Sequence, residues 1–256
     1  MKSLKEALLN RPKNIDVARM VAEEYINANY TVKGNLTFEN VRGVCIVNCD
    51  GEVDVANEKI EKLTEGFVWG EIKKAFYCSC CRNLKSLEGA PKKVGEGFSC
   101  RECDMLKTLE GAPKEAGNFY CLYCKNLKSL EGAPEKVNDD FDCTGCKNLE
   151  SLEGAPKEVG GFNCTECDKL KTLEGAPKEI GGDFDCSNCK NLISLEGAPE
   201  YVGWDFYCRE CPNLKSLKGA PKGVGADFYC QECPNLTSLE GVSKCRKIHC
   251  DWQLKK

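Results

Sequence analysis

The sequence holds few of the residues on which most enzymes and metal proteins depend. It has a single histidine, His249. One imidazole leaves no histidine-based metal motif, and the chain contains neither a glycine-rich phosphate loop nor a Ser-His-Asp set. His249 precedes Cys250, but neighbouring side chains of a strand point to opposite faces, so the two cannot form a nucleophile–base dyad. The sequence therefore predicts no catalytic residues, no cofactor and a protein that is not an enzyme.

Long apolar runs and a strong excess of one charge are also missing. No segment approaches the roughly 18 consecutive apolar residues of a membrane span, and residues 1–10 lack the apolar run and cleavage site of a secretory signal. The formal charge is −4, the isoelectric point is near 5.4, and no large basic patch stands out. The chain would therefore exert no broad electrostatic attraction on phosphate backbones or anionic membranes. We expect a cytoplasmic protein with no nucleic-acid or membrane partner.

Cysteine, by contrast, is abundant, with 21 residues, most of them in a repeat. A Cys-x-x-Cys unit recurs every 21 or 22 residues, and between successive units runs a second string, most often Ser194-Leu-Glu-Gly-Ala-Pro199. Eight copies of each string exclude coincidence. The Cys-x-x-Cys units begin at Cys78, Cys100, Cys121, Cys143, Cys164, Cys186, Cys208 and Cys230.

Each repeat contains one short predicted strand. Phe184 and Cys186 are two residues apart, so on a pleated strand both side chains point to one face and Asp185 points to the other. Glycines before each Phe and the Gly-Ala-Pro after each Leu bend the chain on both sides of the strand. A coil of 21 or 22 residues is therefore predicted to return the chain to the next strand.

These residues resemble a leucine-rich repeat, whose pattern is L-x-x-L-x-L-x-x-N/C-x-L. In one copy the matching positions are Val159, Phe162, Cys164, Cys167 and Leu170. The chain is similar to the short bacterial form of this repeat, which occurs in effector, phage-encoded and gut-bacterial proteins. The resemblance implies a mostly-β solenoid, a horseshoe or arc of short parallel strands after a small α+β N-terminal cap. It also suggests a bacterial or phage source, and thus the cytoplasm of a bacterial host.

The chain is predicted to have four segments. Residues 1–40 form a helical N-terminal segment, residues 41–71 a β-hairpin cap with an incomplete first repeat, residues 72–243 eight leucine-rich repeats, and residues 244–256 a C-terminal half repeat and tail. The last strand, Ile248-His249-Cys250, is thinly covered. Its free edge could pair with a second copy and give a homo-oligomer.

Details of the N-terminal region follow from local signals. Ser3–Asn10 and Asp16–Asn29 read as helices. Asp50-Gly51 between two alternating apolar runs predicts a hairpin turn. Val53 and Val55 align with the Phe and first-cysteine positions of the repeats, which indicates an incomplete repeat before the first full one.

Three interpretations of the repeated cysteines compete: zinc ligands, disulfides and buried thiols. Cys78, Cys81, Cys100 and Cys103 have the spacing of a four-thiolate zinc site. We favour buried thiols and no metal, because Val55 stands in the first-cysteine position, where a packed apolar residue fits and a metal ligand does not. The predicted core includes Phe98, Cys100, Cys103, Phe162, Cys164, Cys167, Phe184, Cys186 and Cys189.

The residues before and after each Phe are predicted to form an outward surface, here the strand face. Aspartate and tyrosine are frequent there and no position is basic, whereas lysines follow the Pro of the second string on the far side of each coil, at Lys92, Lys114, Lys157, Lys178 and Lys222. The sixteen positions are Ala75, Tyr77, Gly97, Ser99, Asn118, Tyr120, Asp140, Asp142, Gly161, Asn163, Asp183, Asp185, Asp205, Tyr207, Asp227 and Tyr229.

This sorting of charge predicts a non-catalytic scaffold that recognises a protein with a basic surface. The predicted contacts are Tyr77, Tyr120, Asp140, Asp142, Asp183, Asp185, Asp205, Tyr207, Asp227 and Tyr229. The competing explanation is that exposed strand positions must be polar in any case. Two other functions stay open: a head-associated structural protein of a phage virion, and a zinc-stabilised scaffold.

Overall fold

A computed structural model describes residues 15–55, 57–242 and 244–251 of the chain. The predicted helix Ser3–Asn10 lies outside these residues. One helix, α1 (Ile15–Asn29), precedes the strands, close to the predicted Asp16–Asn29. The strands are β1 (Tyr30–Lys33), β2 (Leu36–Val41), β3 (Val44–Cys49), β4 (Glu52–Val55), β5 (Val68–Ile72), β6 (Ala75–Tyr77), β7 (Lys93–Ser99), β8 (Glu115–Tyr120), β9 (Lys136–Asp142), β10 (Glu158–Asn163), β11 (Glu179–Ile180), β12 (Phe184–Asp185), β13 (Tyr201–Val202), β14 (Phe206–Tyr207), β15 (Gly223–Val224), β16 (Asp227–Cys230) and β17 (Lys247–Cys250).

The strands build a parallel β-solenoid of about nine turns. A 14-stranded sheet runs in the order β1-β4-β6-β7-β8-β9-β10-β12-β14-β16-β17, with β2, β3 and β5 beside that row, and β11-β13-β15 form a second sheet. Equivalent residues of successive repeats are direct neighbours, as where Phe162 lies between Phe141 and Phe184. The predicted mostly-β solenoid with short parallel strands is therefore confirmed.

Like side chains stack into columns inside the solenoid. The phenyl rings from Phe76 to Phe228 are nearly parallel, with neighbouring centroids 5.0 to 5.7 Å apart. Burying each large apolar side chain contributes about 1.5–3 kcal/mol. The prediction that each Phe and both sulfurs point inward is confirmed for every predicted core residue: Phe98, Cys100, Cys103, Phe162, Cys164, Cys167, Phe184, Cys186 and Cys189.

From the second repeat onward, the second cysteine also links neighbouring coils. Its S–H donates to the backbone carbonyl of the first cysteine one coil earlier, as from Cys103 to Cys78 and from Cys167 to Cys143, with sulfur–oxygen distances of 3.1 to 3.4 Å along the series. A thiol is a small, weak donor that is otherwise apolar. This explains why one residue type serves both as a packed core group and as a partner for a buried carbonyl.

Asparagines form a parallel ladder nearer the surface. The amide of Asn148 donates to the carbonyl of Lys125 at 2.6 Å, and the equivalent asparagines at 126, 191, 213 and 235 make the same bond at 2.6 to 2.7 Å. Met105 and Lys169 occupy this position in two coils and interrupt the ladder. The ladder therefore has two vacant rungs.

The glycine of the second string is required by the close approach of successive coils. Gly111 has φ +91°, and a Cβ built there would lie 2.3 Å from the Glu88 nitrogen of the preceding coil. Only a residue without a side chain fits both the left-handed backbone and this contact. The Gly-Ala-Pro step thus fixes how closely the coils stack.

The predicted hairpin around Asp50-Gly51 is wrong. β3 and β4 do not pair with each other: β3 pairs with β2 and β5, whereas β4 pairs with β1 and β6. The hairpin instead joins β2 to β3 through Arg42-Gly43, both with positive φ. Asp50-Gly51 forms a corner of the solenoid, equivalent to the glycine-rich bend of the later coils. The prediction that Val53 occupies the Phe position is confirmed, since it pairs with Phe76.

The N-terminal residues pack onto this first coil. Ala22 and Ile26 of α1 are buried, and the ring of Tyr30 contacts Trp69 and Phe76 with centroids 5.4 and 6.1 Å apart. Strand β1 and all but the last residue of β2 lie inside the predicted helical segment 1–40, whose described part is helical only as far as Asn29. The chain therefore changes from helix to strands earlier than predicted.

Candidate functional site

The strand face forms two columns on the outer side of the large sheet, the first column before each Phe and the second column after it. Most predicted contact residues are partly or fully exposed, as expected: Tyr77, Tyr120, Asp140, Asp142, Asp183, Asp185, Asp205, Tyr207 and Tyr229. The prediction that all sixteen positions face water is wrong at four of them, which are buried: Ala75, Ser99, Gly161 and Asp227.

Side-chain oxygens of the first column connect neighbouring coils. Asp183 Oδ1 accepts a hydrogen bond from the Asp205 backbone N–H at 2.8 Å, and Asp205 Oδ1 accepts one from Asp227 at 2.7 Å. Asn118 Oδ1 accepts from the N–H of Asp140 at 3.1 Å. These bonds satisfy backbone donors that the short strands leave outside the sheet ladder.

Side-chain oxygens of the second column end the strands. Asp142, Asn163 and Asp185 each accept a hydrogen bond from the backbone N–H two residues further on, at 2.8 to 2.9 Å. This is an Asx turn, a frequent use of Asp and Asn where a strand gives way to a turn. Part of the polarity of the strand face therefore has a structural cause.

The negative charge itself is not needed for these bonds. Asn118 and Asn163 make them with a neutral amide oxygen. Aspartate in the equivalent positions adds charge without adding a backbone bond. Among the described residues, no lysine or arginine nitrogen lies within 4.0 Å of four of these carboxylates: Asp140, Asp142, Asp183 and Asp185.

The charge also has an energetic cost. Burial raises the pKa of the Asp142 carboxyl, and the neighbouring carboxylates Asp140 and Asp185 raise it further, against the lowering effect of its bonds to Thr144. The ionised form of Asp142 is therefore disfavoured in the folded chain. Asparagine in these positions would keep the hydrogen bonds and avoid this cost, yet the strand face carries aspartate.

Aromatic rings continue the second column toward the C-terminus. Tyr207 stacks on Tyr229 with centroids 4.7 Å apart, and Tyr229 stacks on His249 at 4.3 Å. The guanidinium of Arg209 lies 5.4 Å from the Tyr207 ring centroid. The Tyr207 hydroxyl donates to Asp205 at 2.9 Å. His249 thus belongs to the strand face, whereas Cys250 is buried, as the alternation predicted.

Asp227 does not belong to the open surface that the sequence predicted. Its carboxylate accepts hydrogen bonds from Arg246 Nε at 2.8 Å and lies 2.9 Å from His249 Nε2. These two partners hold the pKa of Asp227 at about 2. Residues that follow the last repeat therefore cover and neutralise the last aspartate of the first column.

A cavity of about 760 Å³ opens on the strand face between Tyr120 and Tyr207; we call it the trough. Gly161, which contributes no side chain to the first column, lines the floor of the trough. Trp204, with 65 % of its surface exposed, borders the trough beside Tyr207. Acidic side chains complete the walls, among them Asp139, Asp140, Asp142, Asp183 and Asp185.

The two cysteine columns lie on the opposite side of the sheet from the trough. The described cysteines are free thiols, and burial raises the pKa of Cys143 to about 12. In the described ranges, no three His, Cys, Asp or Glu side chains are arranged to hold a metal ion. The second-cysteine thiols from Cys103 onward donate to carbonyls of the preceding coil. Three first-cysteine thiols, those of Cys143, Cys186 and Cys208, donate to carbonyls of the following coil.

The lysines that follow Pro are exposed, away from the trough. Lys222 pairs with Glu200 of the preceding coil, and Lys136, in the neighbouring position, pairs with Glu158 at 2.9 Å. Lysine and glutamate of neighbouring coils therefore form ion pairs on that side, in contrast to the four carboxylates of the strand face.

Comparisons of the chain with known protein families, with curated proteins and with solved structures find no match. In the part of the chain that the structure describes, no helix is long and apolar enough to cross a membrane.

Proposed function

We propose that the protein is a non-catalytic recognition scaffold that binds a basic protein surface through its strand face. The observation that carries this proposal is the surplus charge of Asp140, Asp142, Asp183 and Asp185. Asparagine makes the same backbone bonds in two equivalent positions, so the carboxylates serve another purpose. Asp140 and Asp185 both raise the pKa of the Asp142 carboxyl, so these like charges repel each other unless a cation meets them.

The aromatic residues support the same function. Tyrosine offers a large rigid surface with a polar tip and is common at binding interfaces. Tyr77, Tyr120, Tyr207 and Tyr229 lie on the strand face beside the aspartates. An acidic surface with aromatic rings suits lysine and arginine side chains, which combine charge with contact area.

The origin and surroundings of the protein are part of this proposal. The positions of Val, Phe, Cys and Leu in each coil favour a leucine-rich repeat of the bacterial or phage-encoded type. We place the protein in the bacterial cytoplasm, where free thiols persist. Self-association through the free edge of β17 stays a prediction.

The test removes charge while keeping the hydrogen bonds. One variant carries Asp→Asn at 140, 142, 183 and 185. A matched control carries Glu→Gln at 110, 131, 153 and 174, exposed positions in the second string. Both lose the same charge, so a difference between them reports position and not net charge.

Binding is measured with immobilised protein against a series of 12-residue peptides of increasing positive charge, and by pulldown from a bacterial lysate. We expect the Asn variant to bind the basic peptides at least about tenfold more weakly, equivalent to about 1.4 kcal/mol, while the control stays near wild type. A lysate partner counts only if the Asn variant loses it and the control keeps it. Equal binding by both variants would overturn the proposal.

A further inference from the structure

We propose that the trough binds an extended segment carrying two arginines three residues apart, Arg-x-x-Arg, in the polyproline II conformation. This inference rests on the proposed function and names the ligand of one part of the strand face. It follows from the spacing of the acidic pairs, from the aromatic ends of the trough, and from an arginine that the chain already places on the same column.

The acidic side chains of the trough are grouped in two pairs with a gap between them. Asp140 and Asp142 belong to β9; Asp183 immediately precedes β12, two coils further on, and Asp185 ends it. Gly161 of β10 lies between the pairs in the first column. Because Gly161 has no side chain, the Asp140 carboxylate extends over it, and its Oδ1 lies where a Cβ at Gly161 would stand. We expect the ligand backbone to cross the sheet above this carboxylate, between the two charged points.

The distance between the pairs selects the ligand conformation. Neighbouring strands are about 4.8 Å apart, so two steps separate the acidic pairs by about 9.6 Å. A polyproline II helix repeats every three residues with a rise of about 3.1 Å, which brings side chains i and i+3 to the same side about 9.3 Å apart. In a β-strand, same-side residues are about 6.7 Å or 13 Å apart, and neither distance matches.

The ends of the trough favour arginine over lysine. Tyr120 borders one end, and Trp204 with Tyr207 borders the other. A guanidinium stacks on aromatic rings and binds a carboxylate with two parallel hydrogen bonds, which an ammonium cannot do. Each arginine of the ligand can therefore contact an acidic pair and an aromatic ring together.

The C-terminal end of the strand face shows the two parts of this interaction, each made by a different arginine. Asp227 accepts a hydrogen bond from Arg246 at 2.8 Å, and Arg209 lies near the rings of Tyr207 and Tyr229. Asp140 and Asp183 occupy equivalent positions in the first column. An arginine of the proposed ligand would therefore pair with Asp140 or Asp183 as Arg246 pairs with Asp227.

Fluorescence anisotropy with labelled peptides of equal charge tests the proposal. The peptides contain Arg-Pro-Pro-Arg, Lys-Pro-Pro-Lys, Arg-Pro-Arg, Arg-Pro-Pro-Pro-Arg, or two arginines seven residues apart in a helical host. We expect Arg-Pro-Pro-Arg to bind about tenfold more tightly than each of the others. Equal binding of all five, or tightest binding of another spacing or of lysine, would overturn the proposal.

Two variants locate the binding in the trough. Gly161→Gln keeps the net charge, but its side chain displaces the Asp140 carboxylate that now lies over the floor; the backbone there is not left-handed, so the substitution fits the fold. Trp204→Ala removes an exposed ring that the core does not need. We expect each variant to remove the preference for Arg-Pro-Pro-Arg. Circular dichroism confirms folding, and a preference that survives both substitutions excludes the trough.

The same titrations separate this proposal from the proposed function. If basic peptides bind without regard to spacing and the Asn variant loses them, the strand face is a basic-protein surface and the Arg-x-x-Arg proposal is wrong. If wild type binds no basic peptide, or the Asn variant binds them unchanged, both proposals are wrong.

Discussion

Substitution of Asp142 separates the structural role of a strand-face carboxylate from its charge. Asp142 Oδ1 accepts the Thr144 N–H at 2.8 Å. Asp142→Asn keeps an oxygen acceptor there, whereas Asp142→Ala leaves the N–H without it. Loss of a comparable side-chain cap costs about 0.5–2 kcal/mol. We therefore expect the Ala variant to be about 1 kcal/mol less stable than wild type and the Asn variant to be at least as stable.

The pH dependence supplies a second signature. Burial, with Asp140 and Asp185, raises the folded-state pKa of Asp142 above its ordinary value of 3.8. A carboxyl with a raised folded pKa stabilises the fold below the unfolded pKa, and this stabilisation is lost as the pH rises through the folded pKa. The stability gain of the Asn variant over wild type should therefore be small below pH 3.8 and largest at neutral pH.

Guanidinium unfolding followed by far-UV circular dichroism, in reducing buffer at acidic and neutral pH, measures both effects. Asn163→Ala is the matched control, because Asn163 makes the same turn bond without charge. It should lose stability equally at both pH values. Destabilisation of Asp142→Asn equal to that of Asp142→Ala at neutral pH, or a stability gain that does not change with pH, would contradict a separate cost of the charge.

Other predictions concern the ladder, the thiols and the C-terminal ion pair. Met105→Asn should fill a vacant rung and raise the unfolding free energy by about 0.5–1 kcal/mol, seen as a higher guanidinium midpoint; an unchanged midpoint would contradict the ladder. Under native conditions iodoacetamide should label the half-buried Cys80 and Cys245 first, by mass spectrometry, with the buried thiols reacting only on unfolding; uniform labelling would contradict their burial. Because the pKa of Asp227 is lowered to about 2, its contact with Arg246 should stabilise β17 above pH 3.8 and be lost as the pH falls through 2. Hydrogen exchange of β17 amides should report this loss, and Asp227→Ala should show fast exchange at every pH.

The repeat made the core predictable because a solenoid stacks equivalent positions. Phe184 and Cys186 recur at one spacing, so alternation along a strand was enough to place both inside and Asp185 outside. The environment of Asp227 could not be predicted in this way. Asp227 looks like Asp205 in the sequence, but Arg246 and His249 reach it from beyond the last repeat, where no pattern is repeated.

Other failures arose where one local signal suits two structures. Asp50-Gly51 fits a hairpin turn and equally a solenoid corner, and only the distant partners β1 and β6 decide between them. The turn bonds of the strand face did have a signal, since Asp142 stands two residues before Thr144 in an arrangement typical of Asx turns. The trough could not be predicted from the sequence, because Gly161 is one of 24 glycines and forms part of a cavity only through the side chains of the neighbouring coils.

The absence of a side chain at Gly161 has a consequence for how such a chain could evolve. Each coil contacts mainly its immediate neighbours, so duplication or loss of one coil leaves the others intact. Adding a coil beside Gly161 would move the flanking acidic pairs apart by one strand spacing, about 4.8 Å. If the trough binds its ligand as proposed, a chain with one more coil at this place would need a ligand whose two charged groups are farther apart by that spacing.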